Sequence, residues 1–404
     1  MLIAGEPSGD LLGAELVKAL RAEFAKAPPP ITTDTQPLHA SLEPRFFGAG
    51  GPRMAEAGVE LALDMTAHAL VGLVEVLRKY LKFRRFLHQL LQLALDRQPD
   101  AIICIDFSGF NRRFGHAVKK YVRSHQGPFA NWNPKLIQYV SPQVWASREG
   151  RARKMAQDFD LLLSIFPFEK EWYARHASAL KVEYVGHPML DRYAGFNWPG
   201  AETRRGQDAE KHSLIVLLPG SRPGELSRHL PVIHAASRII ASKHAAHFTI
   251  CLPNETLAGQ VRSSDWPAST TIQVGGLAEA LARGTLAIAS TGTVTMECAY
   301  FGVPTVALYK TSWSTYEIGK RIIQVNFLAM PNLLAGDAIY PEFVQHAATP
   351  ENIARAALEL LENPGRQEAV RARLAKVIRM LGTPGASSRA ARAILTCLEN
   401  SRVR

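Results

Sequence analysis

Two segments far apart in the chain each join an apolar run to a turn of small residues, a pattern typical of anion sites in α/β proteins. Residues 214–222 (LIVLLPGSR) and 289–297 (ASTGTVTME) each predict a strand, a turn and the start of a helix. A helix start offers unpaired backbone N–H groups and the positive end of the helix dipole, so it can hold a phosphate. The predicted phosphate site comprises Gly220, Ser221, Arg222, Thr291, Gly292 and Thr293.

Glu297 lies four residues after Thr293, in the helix that the second segment predicts. Its carboxylate would accept hydrogen bonds from ribose hydroxyl groups, as acidic residues do in other nucleotide sites. The alternative is a carboxylate that only interacts favourably with the helix dipole, which is worth roughly 0.3 to 1 kcal/mol. The neighbouring turn at residues 290–293 favours the ligand contact.

A third turn, residues 5–10 (GEPSGD), lies between the apolar run 2–4 and an amphipathic run 11–24. Its glycines allow a tight turn and a close approach to a ligand, but the spacing differs from that of a dinucleotide fingerprint. Asp10 has a second interpretation, as the N-cap of a helix that begins at Leu11. Together the three turns predict an α/β protein that handles nucleotides.

Asp106 ends the apolar run 101–105. Ligands of open parallel sheets bind at the carboxyl ends of strands, so this side chain is well placed to act as a general base. Strand-end aspartates also often bond to local backbone, here toward Gly109. Position alone supports both interpretations equally.

Asp158 and Asp160 match an Asp-x-Asp pattern that holds a metal ion in one class of glycosyltransferases. We predict a structural role for them, because they connect a helical segment to the strand 161–165 and no neighbouring carboxylate or histidine completes a site. The histidines show no metal-ligand spacing, and His187 is the one we single out. No metal and no cofactor is predicted.

Strand-like runs alternate with helical periodicity along the chain, which predicts parallel sheet. The length of 404 residues exceeds the roughly 250 to 300 residues at which one core stops growing, so two domains are expected. A polar segment, 195–212, lacks either periodicity. We therefore predict domains over residues 1–188 and 189–386.

The net charge is +11, which favours an anionic partner. A nucleic acid is disfavoured, because the chain has no recognisable nucleic-acid-binding motif. The four cysteines are widely spaced, and no apolar run approaches the roughly 18 to 20 residues of a membrane span. These features predict a cytoplasmic protein.

The segment 74–95 places apolar residues at helical spacing and loads the opposite side with positive charge. Such a helix could lie on an anionic membrane surface. The alternative is a surface helix whose apolar stripe packs on its own domain. The residues predicted to dock on the membrane are Leu73, Leu77, Arg78, Lys79, Lys82 and Arg85.

Seven motifs, in order along the chain, resemble those of the lipid-A-disaccharide synthase family. They are residues 4–10 (AGEPSGD), 50–54 (GGPRM), 139–146 (YVSPQVWA), 166–169 (FPFE), 186–188 (GHP), 218–222 (LPGSR) and 331–334 (PNLL). The resemblance implies an α/β protein with a B-type glycosyltransferase fold, in which two Rossmann-like domains face each other across a cleft. It also implies that a C-terminal helix, about residues 387–404, packs back on the first domain.

The resemblance implies a reaction between UDP-2,3-diacylglucosamine and 2,3-diacylglucosamine 1-phosphate, with inversion at the anomeric carbon. Asp106 matches the family's proposed base, and Arg222, Glu297 and Asn332 match nucleotide-binding positions. The residues assigned to the acceptor are Glu6, Ser8, Gly9, Asp10 and Asn111. Because both substrates carry acyl chains, the resemblance also favours peripheral association with the inner membrane.

One departure lies beside the predicted base, where the family usually has Pro-Asp-Phe-Asn and this chain has Ser108, Gly109, Phe110 and Asn111. One of two neighbouring carboxylates is therefore absent, which leaves a changed acceptor or a weakened enzyme open. Two alternatives remain: another nucleotide-sugar enzyme of the same fold, such as a 2-epimerase, or a non-catalytic protein that binds anionic lipid.

Overall fold

The computed structural model describes residues 1–26, 43–65, 74–127, 131–196 and 213–402, without the side chains of 74–82 and 400–402. Contacts between Cα atoms divide the chain into two compact units. The first comprises Met1–Gly195 and Leu381–Arg404, and the second is Phe196–Met380. The first unit thus extends a few residues beyond the boundary predicted at residue 188, because the short helix Met189–Tyr193 belongs to it.

The first unit is a parallel α/β domain. Its strands are β1 (Leu2–Ala4), β2 (Phe47–Gly50), β3 (Glu60–Asp64), β4 (Ala101–Ile105), β5 (Lys135–Tyr139), β6 (Leu161–Ser164) and β7 (Val182–Tyr184). Its first seven helices are α1 (Pro7–Phe24), α2 (Pro52–Glu56), α3 (Val74–Arg97), α4 (Ser108–Ser124), α5 (Gly150–Asp158), α6 (Pro167–His176) and α7 (Met189–Tyr193). The strand order is β3-β2-β1-β4-β5-β6-β7, and every pairing is parallel.

The second unit repeats this plan. Its strands are β8 (Ser213–Leu218), β9 (Ala246–Leu252), β10 (Thr270–Val274), β11 (Leu286–Ser290), β12 (Thr305–Tyr309) and β13 (Glu342–Val344). Its helices are α8 (Pro223–Ala241), α9 (Glu255–Arg262), α10 (Leu277–Arg283), α11 (Thr293–Tyr300), α12 (Trp313–Ile322), α13 (Met330–Ala335), α14 (Pro350–Leu361) and α15 (Pro364–Met380). The parallel strands follow the order β10-β9-β8-β11-β12-β13.

The strand order reverses direction once in each sheet, between β1 and β4 and between β8 and β11. Loops leave such a point toward opposite faces of the sheet, which opens a crevice at the carboxyl ends of the two central strands. The buried apolar runs that predicted β1, β4, β8 and β11 therefore also determine where a ligand can bind.

The last helix, α16 (Ala386–Arg402), packs on α1 in the first unit. The Asp191 carboxylate accepts hydrogen bonds from the backbone N–H groups of residues 385–387, which are unpaired at the start of α16. The Arg389 Nε atom donates to the Val185 carbonyl at 2.7 Å. These bonds fix the end of the chain to the segment that follows β7.

Helix α1 begins earlier than the sequence pattern predicts. Helix α1 starts at Pro7 rather than Leu11, because Pro7 suits the first turn of a helix, where no backbone donor is needed. Asp10 is therefore not the N-cap of α1, and that interpretation was wrong. Strands β2, β3, β10 and β13 were not predicted, since each is a short segment without strict alternation or a long apolar run.

Candidate functional site

Asp106 follows β4 at the point where the first sheet reverses its strand order. Its φ angle is 48°, and that of Phe107 is 38°, so two consecutive non-glycine residues adopt the left-handed region. Such backbone costs about 1 to 3 kcal/mol per residue and persists only where its surroundings enforce it. This strained backbone lowers the stability of the fold, and it presents Asp106 at the carboxyl edge of the first sheet.

Two buried amides hold this strained backbone. The Asn111 Nδ2 atom donates to the carbonyl oxygens of Asp106 at 2.8 Å and Ile105 at 3.2 Å. The Gln138 Nε2 atom donates to the Asp106 carbonyl at 3.1 Å. The Asp106 N–H group donates to the Tyr139 carbonyl at 2.9 Å. Asp106 itself is only partly buried, which suits a group that must reach a substrate.

The turn after β1 lies directly against Asp106. A Cβ atom at Gly5 would overlap the Phe107 ring, and one at Gly9 would lie 3.5 Å from the Ile105 carbonyl and 3.8 Å from the Asp106 Cβ atom. Glu6 is partly buried and Ser8 is exposed in the same turn. Gly9 therefore lies beside Asp106, and Glu6 and Ser8 belong to the same turn.

Two of the residues assigned to the acceptor are buried in the fold. Asp10 is 2% exposed, and its carboxylate accepts hydrogen bonds from the N–H groups of Gly51 (2.8 Å), Arg53 (3.0 Å) and Met54 (3.0 Å). It thus caps α2 instead of facing a ligand. Asn111 is 0% exposed and positions Asp106. We correct both assignments, because neither side chain is accessible to an acceptor.

The two predicted phosphate-binding turns meet in the second unit, because β8 and β11 are neighbours and Leu218 pairs with Ala289. The left-handed φ angles of Gly220 (128°) and Gly292 (145°) explain why glycine occupies both turns. Helix α8 begins after Arg222 and α11 begins after Gly292, and neither start has a side-chain cap. Two helix starts therefore converge on one crevice with their first-turn N–H groups.

Glu225, which the sequence analysis missed, occupies part of this crevice. Its Oε1 atom lies 3.0 Å from Arg222 Nη1, and its Oε2 atom accepts the Ser221 N–H group at 3.3 Å. A Cβ atom at Gly220 would lie 2.8 Å from the same Oε2 atom. The carboxylate thus bonds to two of the groups that were predicted to bind a phosphate.

His229 is a second residue that the sequence analysis missed. Its side chain is 0% exposed, its Nδ1 atom lies 2.8 Å from the Pro219 carbonyl, and its Nε2 atom accepts the Lys310 N–H group at 3.0 Å. Burial lowers the pKa of His229, so the ring is neutral with the proton on Nδ1. It joins the turn after β8 to the end of β12.

Glu297 and Asn332 have different surroundings in the second unit. Glu297 is partly buried on α11, near the predicted phosphate turn. Asn332 is 0% exposed; its Nδ2 atom donates to the Tyr340 carbonyl and to Glu342 Oε1, and its Oδ1 atom accepts the N–H groups of residues 339 and 340. These bonds satisfy the whole amide. We therefore replace the predicted nucleotide contact of Asn332 with a structural role.

The other predicted residues lie away from these crevices. Asp158 interacts with His116 at 3.0 Å, and Asp160 accepts the Leu136 N–H group at 2.8 Å, so both stabilise the fold. His187 is 4% exposed, and burial lowers its pKa to about 4. Across the described ranges, no group of three or more acidic, histidine or cysteine side chains is arranged to hold a metal.

The predicted membrane-docking residues are only partly covered by the structure. Leu73 lies outside the described residues, as do the side chains of Leu77, Arg78, Lys79 and Lys82. Arg85 is exposed, whereas Leu90 and Ala94 at the far end of α3 are 0% exposed and belong to the core. The C-terminal end of α3 thus packs on its own domain, as the alternative to membrane docking predicted. Within the part of the chain that the structure describes, no helix is long and apolar enough to cross a bilayer.

Comparison with solved structures defines the class. The chain is similar to the glycotransferase of kitacinnamycin, with a TM-score of 0.61 and 16% identity over 98% of each chain. It is also similar to the calicheamicin glycosyltransferase CalG4, with a TM-score of 0.59 and 14% identity over 98% of this chain and 96% of that one. The two parallel-sheet domains thus have the B-type glycosyltransferase fold.

Sequence comparison identifies the family. The family model described as lipid-A-disaccharide synthetase matches residues 1–395. The lipid-A-disaccharide synthase of Geobacter metallireducens is 36% identical over 100% of this chain and 98% of its own, and that of Syntrophus aciditrophicus is 35% identical over 99% and 98%. This chain belongs to the lipid-A-disaccharide synthase family, as its motifs indicated.

Proposed function

We propose that this protein joins UDP-2,3-diacylglucosamine to 2,3-diacylglucosamine 1-phosphate. The products are the β-1,6-linked lipid disaccharide 1-phosphate and UDP. Membership of the lipid-A-disaccharide synthase family supports the reaction. The observation that carries the residue roles is the strained, amide-held Asp106 at the first crevice.

Asp106 is the general base in this proposal. It takes the proton of the acceptor 6-hydroxyl group as the oxygen attacks the anomeric carbon of the donor. The bond between that carbon and the UDP oxygen breaks in the same step, so the configuration inverts. Glu6, Ser8 and Gly9 line the acceptor side, because their turn lies against Asp106.

The second unit stabilises the departing diphosphate. Arg222 and the backbone N–H groups at residues 220, 222, 292 and 293 offer positive charge and donors where negative charge develops. Glu297 contacts the ribose.

We also propose peripheral association with the cytoplasmic face of the inner membrane. Both substrates are lipids, the net charge of +11 suits anionic headgroups, and Arg85 is exposed on α3. Binding to vesicles that contain phosphatidylglycerol, with phosphatidylcholine vesicles as the control, tests this part. Equal affinity for both kinds of vesicle contradicts it.

The reaction is tested by incubating the purified protein with both diacylated substrates and analysing the products by mass. We expect the disaccharide phosphate and an equal amount of UDP. Product from non-acylated sugars at the same rate would point instead to another nucleotide-sugar enzyme. Vesicle binding without measurable UDP affinity would point to a non-catalytic lipid-binding protein.

A further inference from the structure

Four arginines lie together at the carboxyl edge of the first sheet, close to Asp106. Arg112 and Arg113 belong to the second turn of α4, and Arg148 and Arg151 flank the start of α5, which packs against α4. Partial burial, together with the positive charges of the other three arginines, lowers the pKa of Arg151. We call these four residues the arginine cluster.

At the opposite end of the same two helices, basic groups are paired with carboxylates. Asp158 lies 3.0 Å from His116 and 3.7 Å from Arg123. Asp160 lies 3.0 Å from Lys119 and 3.7 Å from Lys135. Every basic group named here therefore has an acidic partner within 4 Å.

The arginine cluster has no such partner among the described residues. None of its four guanidinium groups forms an ion pair there, and the nearby Glu149 is exposed and unpaired in the same ranges. Gly109, one turn before Arg113, has no described atom within 4 Å of the place where a Cβ atom would lie. Open space therefore adjoins the positive charge.

Four like charges held close together repel one another, and a bound anion removes that repulsion. Guanidinium groups suit a phosphate in particular, because their planar donors match two phosphate oxygens at once. Arg112 lies four residues beyond the first residue of α4, about 6 Å along the helix axis. An extended arginine side chain spans that distance, so one acceptor molecule can reach both Asp106 and the cluster.

We propose that the arginine cluster binds the phosphate monoester of the acceptor sugar. This inference rests on the proposed function and deepens it, because it assigns residues to the group that distinguishes the acceptor from the donor. The phosphate of the acceptor, and not a headgroup of the surrounding bilayer, is the anion bound. Binding there orients the sugar while Asp106 receives the proton of its hydroxyl group.

The test uses the double variant Arg113→Gln/Arg148→Gln, in which both altered side chains are exposed. We expect the KM for diacylglucosamine 1-phosphate to rise about 10- to 100-fold, the range for losing charge-assisted hydrogen bonds. We expect the KM for the UDP-sugar to stay the same. The double variant Arg113→Lys/Arg148→Lys should recover part of the lost affinity for the acceptor. Arg153→Gln makes the same charge change per site on an exposed face of α5, and it should leave both KM values unchanged.

An acceptor without its phosphate separates specific binding from general damage. The wild type should use it poorly, and the double Gln variant should use it equally poorly. A rise in KM by the same factor for both acceptors overturns the proposal. Loss of binding to phosphatidylglycerol vesicles with an unchanged acceptor KM assigns the cluster to the bilayer and also overturns it.

A binding measurement keeps the proposal independent of turnover. The ³¹P signal of soluble glucosamine 1-phosphate should broaden with wild type and with Arg153→Gln, but not with the double Gln variant. Broadening that is equal in all three proteins overturns the phosphate site. A wild type that broadens the signal but forms no disaccharide refutes the proposed reaction and leaves the phosphate site supported.

Discussion

The two crevices share one strand order but hold their charged groups in opposite ways. In the first unit, the backbone of Asp106 is fixed by buried amides, and the carboxylate of Asp10 is locked by three backbone N–H groups. In the second, the side chains of Arg222 and Glu225 are 50% and 27% exposed and bond to each other. The first crevice is therefore preformed in the absence of a ligand, whereas a ligand can rearrange the side chains of the second crevice.

This difference suits the chemistry that each crevice performs in the proposed reaction. A general base must meet one proton in one geometry, so a rigid backbone favours it. A diphosphate is large and strongly charged, and it can displace weak internal bonds at an exposed site. We therefore expect changes in the first unit to alter turnover or stability, and changes at the second crevice to alter nucleotide affinity.

The largest expected effect comes from Asp106→Asn. Removing the base should lower kcat by about 10²- to 10⁴-fold while the affinity for UDP stays unchanged, because the proposed nucleotide site lies in the other unit. Steady-state kinetics and UDP titration measure the two quantities. The matched control is Asp100→Asn, an exposed aspartate just before the same strand, which should keep full activity. A normal kcat in Asp106→Asn excludes Asp106 as the base.

The buried carboxyl group of Glu169 should make the stability of the first unit depend on pH. Its carboxyl group is 0% exposed and accepts the Trp145 Nε1–H group at 3.0 Å, and burial raises its pKa from 4.5 to about 7. Between these values the unfolded chain has released the proton and the folded chain still holds it. The free energy of unfolding should therefore fall as the pH rises from 4.5 to 7, by up to about 3 kcal/mol.

Urea unfolding of the wild type and of Glu169→Gln across this pH range isolates the contribution of Glu169. We expect the stability of the wild type to fall relative to the variant as the pH rises. His187 titrates with the opposite sign, because burial lowers its pKa to about 4, but it is present in both proteins and cancels in the difference. A pH-independent difference would show that Glu169 has an ordinary pKa.

The sequence predicts those parts of the fold and site that local patterns determine. The runs that became β4, β8 and β11 placed Asp106 and the two phosphate turns correctly at strand ends. The sequence could not show that Asp10 caps a helix more than forty residues away, because that bond depends on how β1 and β2 pair. It also could not show which buried amides serve structure, since a ligand contact and a backbone contact use the same side chain.

The bonds of Asp10 lead to a smaller effect, on stability alone. Asp10→Ala leaves the N–H groups of residues 51, 53 and 54 without their acceptor, which should cost about 1 to 3 kcal/mol. Asp10→Asn retains the Oδ1 acceptor, which receives two of the three bonds, so it should lose less. Thermal unfolding measures both variants. Full stability in Asp10→Ala would mean that the first unit is less rigid than these bonds imply.

The smallest expected effect concerns the affinity for UDP at the crevice of the second unit. Glu225→Gln removes a negative charge that bonds to Arg222 and to the Ser221 N–H group, two groups proposed to bind the diphosphate. Because the carboxylate competes with the ligand and repels it, we expect UDP to bind up to about fivefold more tightly to the variant, the range for an exposed ion pair. Isothermal titration calorimetry measures this affinity. The control is Glu255→Gln, which breaks an exposed ion pair with Arg262 in the same unit and should leave UDP affinity unchanged. Weaker binding to Glu225→Gln would instead mean that Glu225 orients Arg222 for the ligand, and the second crevice would then be as preformed as the first.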